Sequence, residues 1–178
     1  MVEDEITIQT IDKLLEIYNT NDEHVTKQNA LFPKGHRQIR RQNFLPEISE
    51  NIAKFAIFKK YNKMPNWNTK NGDLSLGDKQ LEVKAYSSGG PISFGPKERW
   101  EKLYIVDALD HQNKNFRVYE INLSNDDPEW ENIQVKKNQT YQEQCDAKRR
   151  PRITMDALEP QIGQHLELIF DGNISELY

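Results

Sequence analysis

Asp73, Glu82 and Lys84 are the residues whose types and spacing suit hydrolytic chemistry. Gly77-Asp78 lies between two alternating runs and predicts a two-residue hairpin turn, with glycine at the first central position suiting type II′. That turn sets a register in which Leu76 faces Lys79, Ser75 faces Gln80, Leu74 faces Leu81 and Asp73 faces Glu82. Period-two alternation then gives a core face of Leu74, Leu76, Leu81 and Val83 and a polar face of Asp73, Ser75, Gln80, Glu82 and Lys84. Directly opposed residues stand roughly 4.5–5.5 Å apart at Cβ, where two carboxylates repel unless a cation lies between them. A hard divalent ion such as Mg²⁺ takes oxygen ligands and keeps several waters, and Lys84 points to the side from which such a water is reached. Acid, acid, lysine and metal on one sheet face suit phosphodiester hydrolysis. The competing reading is the solvated face of an amphipathic hairpin, because a chain with 29% charged residues produces such spacings freely.

The elements that must hold this hairpin follow from the flanking patterns. Ile8, Ile11, Leu14, Leu15 and Tyr18 recur at helical spacing and predict a helix over 7–18, ended by Asn19-Thr20-Asn21-Asp22. Residues 20–45 read as a polar, irregular arm with a turn at Pro33-Lys34-Gly35. Pro46 opens a second helix with a broad apolar face (Ile48, Ile52, Phe55, Ala56, Phe58) that ends near Asn62. Glu47 and Glu50 lie in its first turns, where the helix dipole alone accounts for acids. After the hairpin, 87–96 is a loop whose glycines let backbone approach a ligand and whose serines offer short hydrogen-bonding groups. No Gly-Lys-Ser/Thr follows those glycines, so it is not a phosphate-binding P-loop.

Leu103–Ala108 is a nearly continuous apolar run and predicts a central strand, with Phe116–Ile121 returning antiparallel. Asp127-Pro128 suggests a short helix start, and 132–152 is polar and basic. Thr154 can cap a helix carrying Met155, Leu158 and Ile162, which Pro160 interrupts or confines to a turn; Leu166–Phe170 is a last strand. The order predicts an α+β fold, a mixed β-sheet flanked by helices.

At 178 residues the chain suits one domain, read as an N-terminal helix and arm (1–45), a core (46–125) and a basic segment with the last strand (126–178). No apolar run approaches the ~18 residues of a membrane span. The start, Met1-Val2-Glu3-Asp4-Glu5, is acidic where a signal peptide is basic, and a single cysteine, Cys145, agrees with a reducing, cytoplasmic setting. Net charge is −4, yet Lys34, His36, Arg37, Arg40 and Arg41 cluster, as do Lys148, Arg149, Arg150 and Arg152. These are either two walls of a DNA groove or solvated loops. Rival centres are weaker. Asp146-Ala147-Lys148 lacks strand alternation and reads as a basic loop, and the four histidines are too scattered for zinc. Asp110-His111 with Asn113 and Asn115 lacks a second histidine, and Asp146 beside Cys145 opposes a thiolate.

Asp73…Glu82-Val83-Lys84 on a hairpin, after a helix bearing acids, resembles the PD-(D/E)xK nucleases. Three further pieces sharpen the resemblance: Ile48-Ser49-Glu50-Asn51, the stretch Ser93–Asp107, and Thr140–Gln144 with Arg149–Ile153. Together they look like a small group of bacterial type II restriction endonucleases that cut the interrupted site GCNGC, over roughly residues 46 to 155. The resemblance implies a restriction-endonuclease-like core and a Mg²⁺ cofactor. Asp73 and Glu82 would be metal ligands, Lys84 would position or deprotonate the attacking water, and Glu50 would complete the catalytic set, with Glu47 as its substitute. Gly72 stands where the motif's name has proline. Ser87, Ser88, Ser93 and Lys97 would approach DNA, while Arg37, Arg40, Arg41, Arg149, Arg150 and Arg152 would contact phosphates or guanine edges.

The function implied is Mg²⁺-dependent cutting of double-stranded DNA at a short palindromic site by a homodimer, since palindromes mirror two-fold protein symmetry. A cognate DNA methyltransferase would act on the same site without stable association. A repair or junction-resolving nuclease on the same core, and a non-catalytic DNA-binding module, are the alternatives.

Overall fold

The computed structural model describes residues 6–68 and 72–177; the acidic Met1–Glu5 and Asn71, at the head of the hairpin stretch, lie outside them. Helix α1 (Ile8–Asn29) starts at Thr7, whose hydroxyl accepts the Thr10 N–H at 3.3 Å. It runs well past the predicted end at residue 18, because Asn19, Thr20 and Asp22 find partners with the helix intact. Asn19 is buried and bonds the His111 ring and carbonyl at 2.6 and 2.9 Å, and Thr20 and Thr26 donate to carbonyls one turn back.

The irregular arm is therefore shorter, spanning 30–45, and it folds back along α1. The Asn29 side chain exchanges two bonds with the Ile39 backbone, Arg41 bonds Thr26 at 2.9 Å, and the Tyr18 hydroxyl donates to the Gln42 carbonyl at 3.2 Å. Helix α2 (Pro46–Tyr61) opens on Pro46 and closes on left-handed Asn62, as its sequence predicts.

The sheet is built from β1 (Asn66–Trp67), β2 (Leu74–Leu76), β3 (Lys79–Tyr86), β5 (Lys102–Asp107), β6 (Asn115–Ile121) and β10 (Leu166–Asn173), in the order β1-β2-β3-β5-β6-β10. Only β3 and β5 pair in parallel; the other neighbours are antiparallel, giving the expected mixed sheet. Parallel partners cannot be joined by a tight turn. The long crossover 87–101 that they require carries β4 (Ile92–Ser93) across the end of the sheet.

Helices flank both faces of this mixed, mainly antiparallel sheet, and the fold is α+β. On one face α1 and α2 pack on Leu74, Leu81, Val83, Tyr104 and Val106. The other face packs Leu103, Ile105 and Ile121 against Trp130 of α3 (Pro128–Glu131), Tyr141 of α4 (Tyr141–Asp146) and the apolar side of α5 (Met155–Ile162). The stretch 132–152, expected to be merely polar and basic, also holds the hairpin β7 (Gln134–Lys136) and β8 (Gln139–Thr140). Asp146, in the rival D-x-K triplet, closes α4, which Thr140 and Glu143 start with a capping box. Helix α5 runs through Pro160, capped by Thr154.

Candidate active site

The hairpin register is as predicted for Leu74–Leu81, Ser75–Gln80 and Leu76–Lys79, with Gly77 at φ +62°. The expected Asp73–Glu82 pair does not form part of the ladder. Gly72, at φ +72°, turns the chain just before it, and a Cβ there would fall 2.8 Å from the Leu81 carbonyl oxygen. Proline, confined to φ near −65°, could not adopt this conformation. Asp73 then donates its N–H to the Leu81 carbonyl at 3.0 Å, and its carboxylate accepts the Val83 N–H at 2.8 Å. The acid is thus fixed at the hairpin's open end.

Glu82 and Lys84 lie on the sheet face they share with Leu103 and Ile105, their neighbours across the parallel pair. Far from being solvated, Glu82 is only 5% exposed. The Lys84 ammonium sits 2.5 Å from the Glu82 carboxylate and 3.0 Å from that of Glu98, with the Phe94 ring centroid 5.9 Å away. Phe94 belongs to an aromatic cluster with Trp100, Trp130 and Tyr141, centroids 5.3–6.4 Å apart, which gives the site a rigid apolar floor.

Helix α2 delivers Glu50, half-buried, to the same place, while Glu47 on its exposed side stays in solvent. Burial, then the charges of Asp73, Glu47 and Glu82, push the Glu50 carboxyl up to about 7. Burial also raises Glu82 to about 7, with Asp73 and Glu98 adding to the rise and Lys84 opposing it. Asp73 is raised by burial against the pull of the Val83 N–H and Lys84. Lys84 is held above its ordinary value: burial pulls it down, but Glu82 and Glu98 outweigh that. Four carboxyls face one ammonium, so the cluster carries excess negative charge in a low-dielectric setting.

These residues line a cleft of about 800 Å³ between the N-terminus of α2, the end of the arm, β3 and the crossover loop. Of the residues expected to meet DNA, Ser87, Ser88, Ser93, Arg41 and Arg150 line it. Arg150 is brought there by a two-residue ladder in which β4 pairs with β9 (Arg152–Ile153), extended by the Phe94 N–H bonding the Pro151 carbonyl at 2.9 Å. Arg37, Arg40, Lys97, Arg149 and Arg152 are exposed beyond its walls. Arg41 is already engaged by Thr26 at 2.9 Å and Asp22 at 3.6 Å.

Glu98, which sequence reasoning gave no role, also lines the cleft, as do Tyr18, read only as part of a helix face, and His111, read only in a rival centre. Nothing in their local spacing signals it; the crossover and the long α1 bring them in. The Asp110–Asn115 loop is a local knot in which Asp110 accepts from Asn113 and Asn115 at 2.6 and 2.7 Å.

No three of the described histidine, cysteine, aspartate or glutamate side chains form a ready metal cage. Mg²⁺ does not need one, since it keeps several waters and is held by one or two carboxylates. The Asp73 and Glu82 carboxylates, both raised chiefly by burial, with the charge of Glu98 adding to each and that of Asp73 adding to Glu82, fit that requirement.

No helix among the described residues is long and apolar enough to cross a membrane. No curated protein and no solved structure matches the chain. A family model does, that of the Bsp6I restriction endonuclease, over residues 6–158. The match takes in the N-terminal helix and arm that the sequence motifs had left uncovered, along with the hairpin, the crossover and the arginine segment. The chain therefore belongs to the Bsp6I restriction endonuclease family, type II enzymes that bind DNA and hydrolyse its phosphodiester bonds.

Proposed function

We propose that Asp73, Glu82, Lys84 and Glu50 are the catalytic centre of a Mg²⁺-dependent type II restriction endonuclease of the PD-(D/E)xK kind. The observation that carries this reading is the charge imbalance: four buried or half-buried carboxyls round one lysine, in a cleft walled by serines and arginines. A fold tolerates such an imbalance where a ligand compensates it. Asp73 and Glu82 would hold the metal, and Glu50 stands beside them to complete the set. When bound, Mg²⁺ lowers the pKa of a coordinated water and offsets charge developing on the phosphate. Lys84, kept charged by two carboxylates, orients the attacking water and faces the reacting phosphate. The aromatic floor excludes bulk solvent from beneath it.

The substrate is double-stranded DNA at a short palindromic site, GCNGC being the target that the motif resemblance implies. Arg150, with Arg149 and Arg152 beside it and Arg37, Arg40 and Arg41 on the arm, contacts phosphates or guanine edges. Ser87, Ser88, Ser93 and Lys97 approach the backbone. One chain, a single nuclease domain, holds one such centre, so cutting both strands calls for a homodimer. A cognate methyltransferase protects the same site without stable association, in the cytoplasm.

Incubating plasmid with the purified protein, with and without Mg²⁺, tests the reading. Discrete fragments that appear only with Mg²⁺ are expected. Cleavage confined to branched substrates would instead make it a junction-resolving nuclease, and Mg²⁺-independent cutting would refute the centre assigned.

A further inference from the structure

We infer that Glu98 is a positioning residue for this reaction, the counter-charge that keeps Lys84 in place when a divalent cation occupies the centre. The inference rests on the active-site reading above and goes beyond it. Lys84 has two carboxylate neighbours, Glu82 at 2.5 Å and Glu98 at 3.0 Å. Glu82 is the one that also has to serve the metal, and a dication on its carboxylate repels an ammonium beside it. At short range in a low-dielectric site, that repulsion has to be offset by another anion. Glu98 is the anion in reach.

Its setting supports that role. The Glu98 Oε2 atom is buried and has no hydrogen bond of regular geometry; its charge partner is the Lys84 ammonium. A buried carboxylate oxygen held that way is costly unless the ion pair is what the site needs. Glu98 sits on a turn closed by its own N–H to the Gly95 carbonyl at 3.2 Å. Gly95 makes room for it: a Cβ there would fall 2.8 Å from the Glu98 Oε1 and 3.0 Å from its Cγ. Just beyond the turn, Trp100 is pinned by its backbone N–H to Asn125 at 2.8 Å and its indole N–H to the Leu123 carbonyl at 3.2 Å. The carboxylate is presented from a fixed platform, on the crossover that the parallel β3–β5 pair makes necessary.

The test is Glu98→Gln, which keeps size and removes charge, read first through the ¹H–¹⁵N signal of the Lys84 ammonium. In the wild-type protein that signal persists through a Mg²⁺ titration; in Glu98→Gln it is present without Mg²⁺, held by Glu82, and is lost on saturation. In single-turnover cleavage the variant slows by about 10- to 100-fold, with Mg²⁺ affinity by calorimetry and DNA affinity within about twofold. Gly95→Ala keeps the charge but displaces the carboxylate, and gives the same signature at smaller amplitude.

An ammonium signal in Glu98→Gln that survives saturating Mg²⁺ overturns the inference. So does a drop of about tenfold or more in Mg²⁺ affinity, which would make Glu98 a ligand instead. Lys84→Ala and Asp73→Asn separate the two levels. If they cut at the wild-type rate, the active-site reading itself fails. If they are inactive while Glu98→Gln cuts normally, only the role of Glu98 does.

Discussion

Glu82 and Glu120 are both buried carboxylates on the six-stranded sheet, 5% and 4% exposed, and their surroundings are opposite in sign. Glu120, on β6, accepts the Tyr104 hydroxyl at 2.6 Å and the Tyr61 hydroxyl at 2.7 Å, and pairs with Lys102 at 3.3 Å and Lys60 at 3.4 Å. Burial would raise it, but those two hydroxyls and two ammoniums hold it below the ordinary carboxylate range. Glu82 has one ammonium and three acids for company and is pushed up to about 7. One carboxylate is fully satisfied and ties α2 to the sheet. The other is left in excess, compensated by a proton below about pH 7 and, in the function proposed above, by the bound metal. Burial of an acid says little by itself; the sign of its neighbours separates a structural group from a reactive one.

Removing each acid should therefore move stability in opposite directions. Glu82→Gln slows Mg²⁺-dependent cleavage by roughly 10³-fold, the several kcal/mol a metal ligand carries, while stabilising the metal-free protein at pH 8 by about 1–2 kcal/mol. The sign follows from linkage. Glu82 and Glu50 have ordinary values near 4.5 and folded values near 7, so between those pH values the folded state keeps protons that the unfolded state has released. Stability of the metal-free protein accordingly falls as pH rises from about 4.5 to about 7. Thermal unfolding across that window shows the fall, Mg²⁺ reverses it at pH 8, and Glu82→Gln flattens it.

Glu120→Ala is the counterpart. It breaks a buried network and destabilises the fold by about 3 kcal/mol in chemical denaturation. The folded fraction still cuts DNA, because Glu120 does not line the cleft. A Glu120→Ala protein that is fully stable and inactive would erase the contrast between the two acids.

Arg150→Ala has the smallest effect. It weakens DNA binding evenly across sequences and makes the salt dependence shallower by about one unit of slope if it meets a phosphate. A loss of about 1–3 kcal/mol confined to one base position would assign it to a guanine edge instead.

Much of this architecture is legible in the chain because strong periodicity survives burial. Pro46 to Asn62, the Gly77-Asp78 hairpin, and the β5 and β6 strands all follow from alternation, apolar runs and turn residues. What escapes reading is held by long-range contacts. The second half of α1 is polar, and the pairing of Asn19 with His111, the threonine back-bonds and the arm folded along it show why it stays helical. Hairpin β7–β8 and helix α4 lie in a polar stretch anchored by a few buried side chains, Ile133, Tyr141 and Gln144. The two-residue β4–β9 ladder leaves no pattern at all, yet it carries Arg150 to the cleft. The register argument joined Asp73 to Glu82 but put the aspartate in the ladder, because glycine at 72 does not announce a left-handed turn until the Leu81 carbonyl is seen against it. Glu98 lies far beyond Lys84 on an irregular crossover, where spacing has no bearing.

The central claim is that Lys84, between Glu82 and Glu98, belongs to the machinery that cuts DNA. Single-turnover cleavage of plasmid by Lys84→Ala, at saturating Mg²⁺ and with DNA binding checked in parallel, tests it most directly. The expected result is a rate lower by roughly 10²- to 10⁴-fold with binding largely retained. Cutting at the wild-type rate would contradict it.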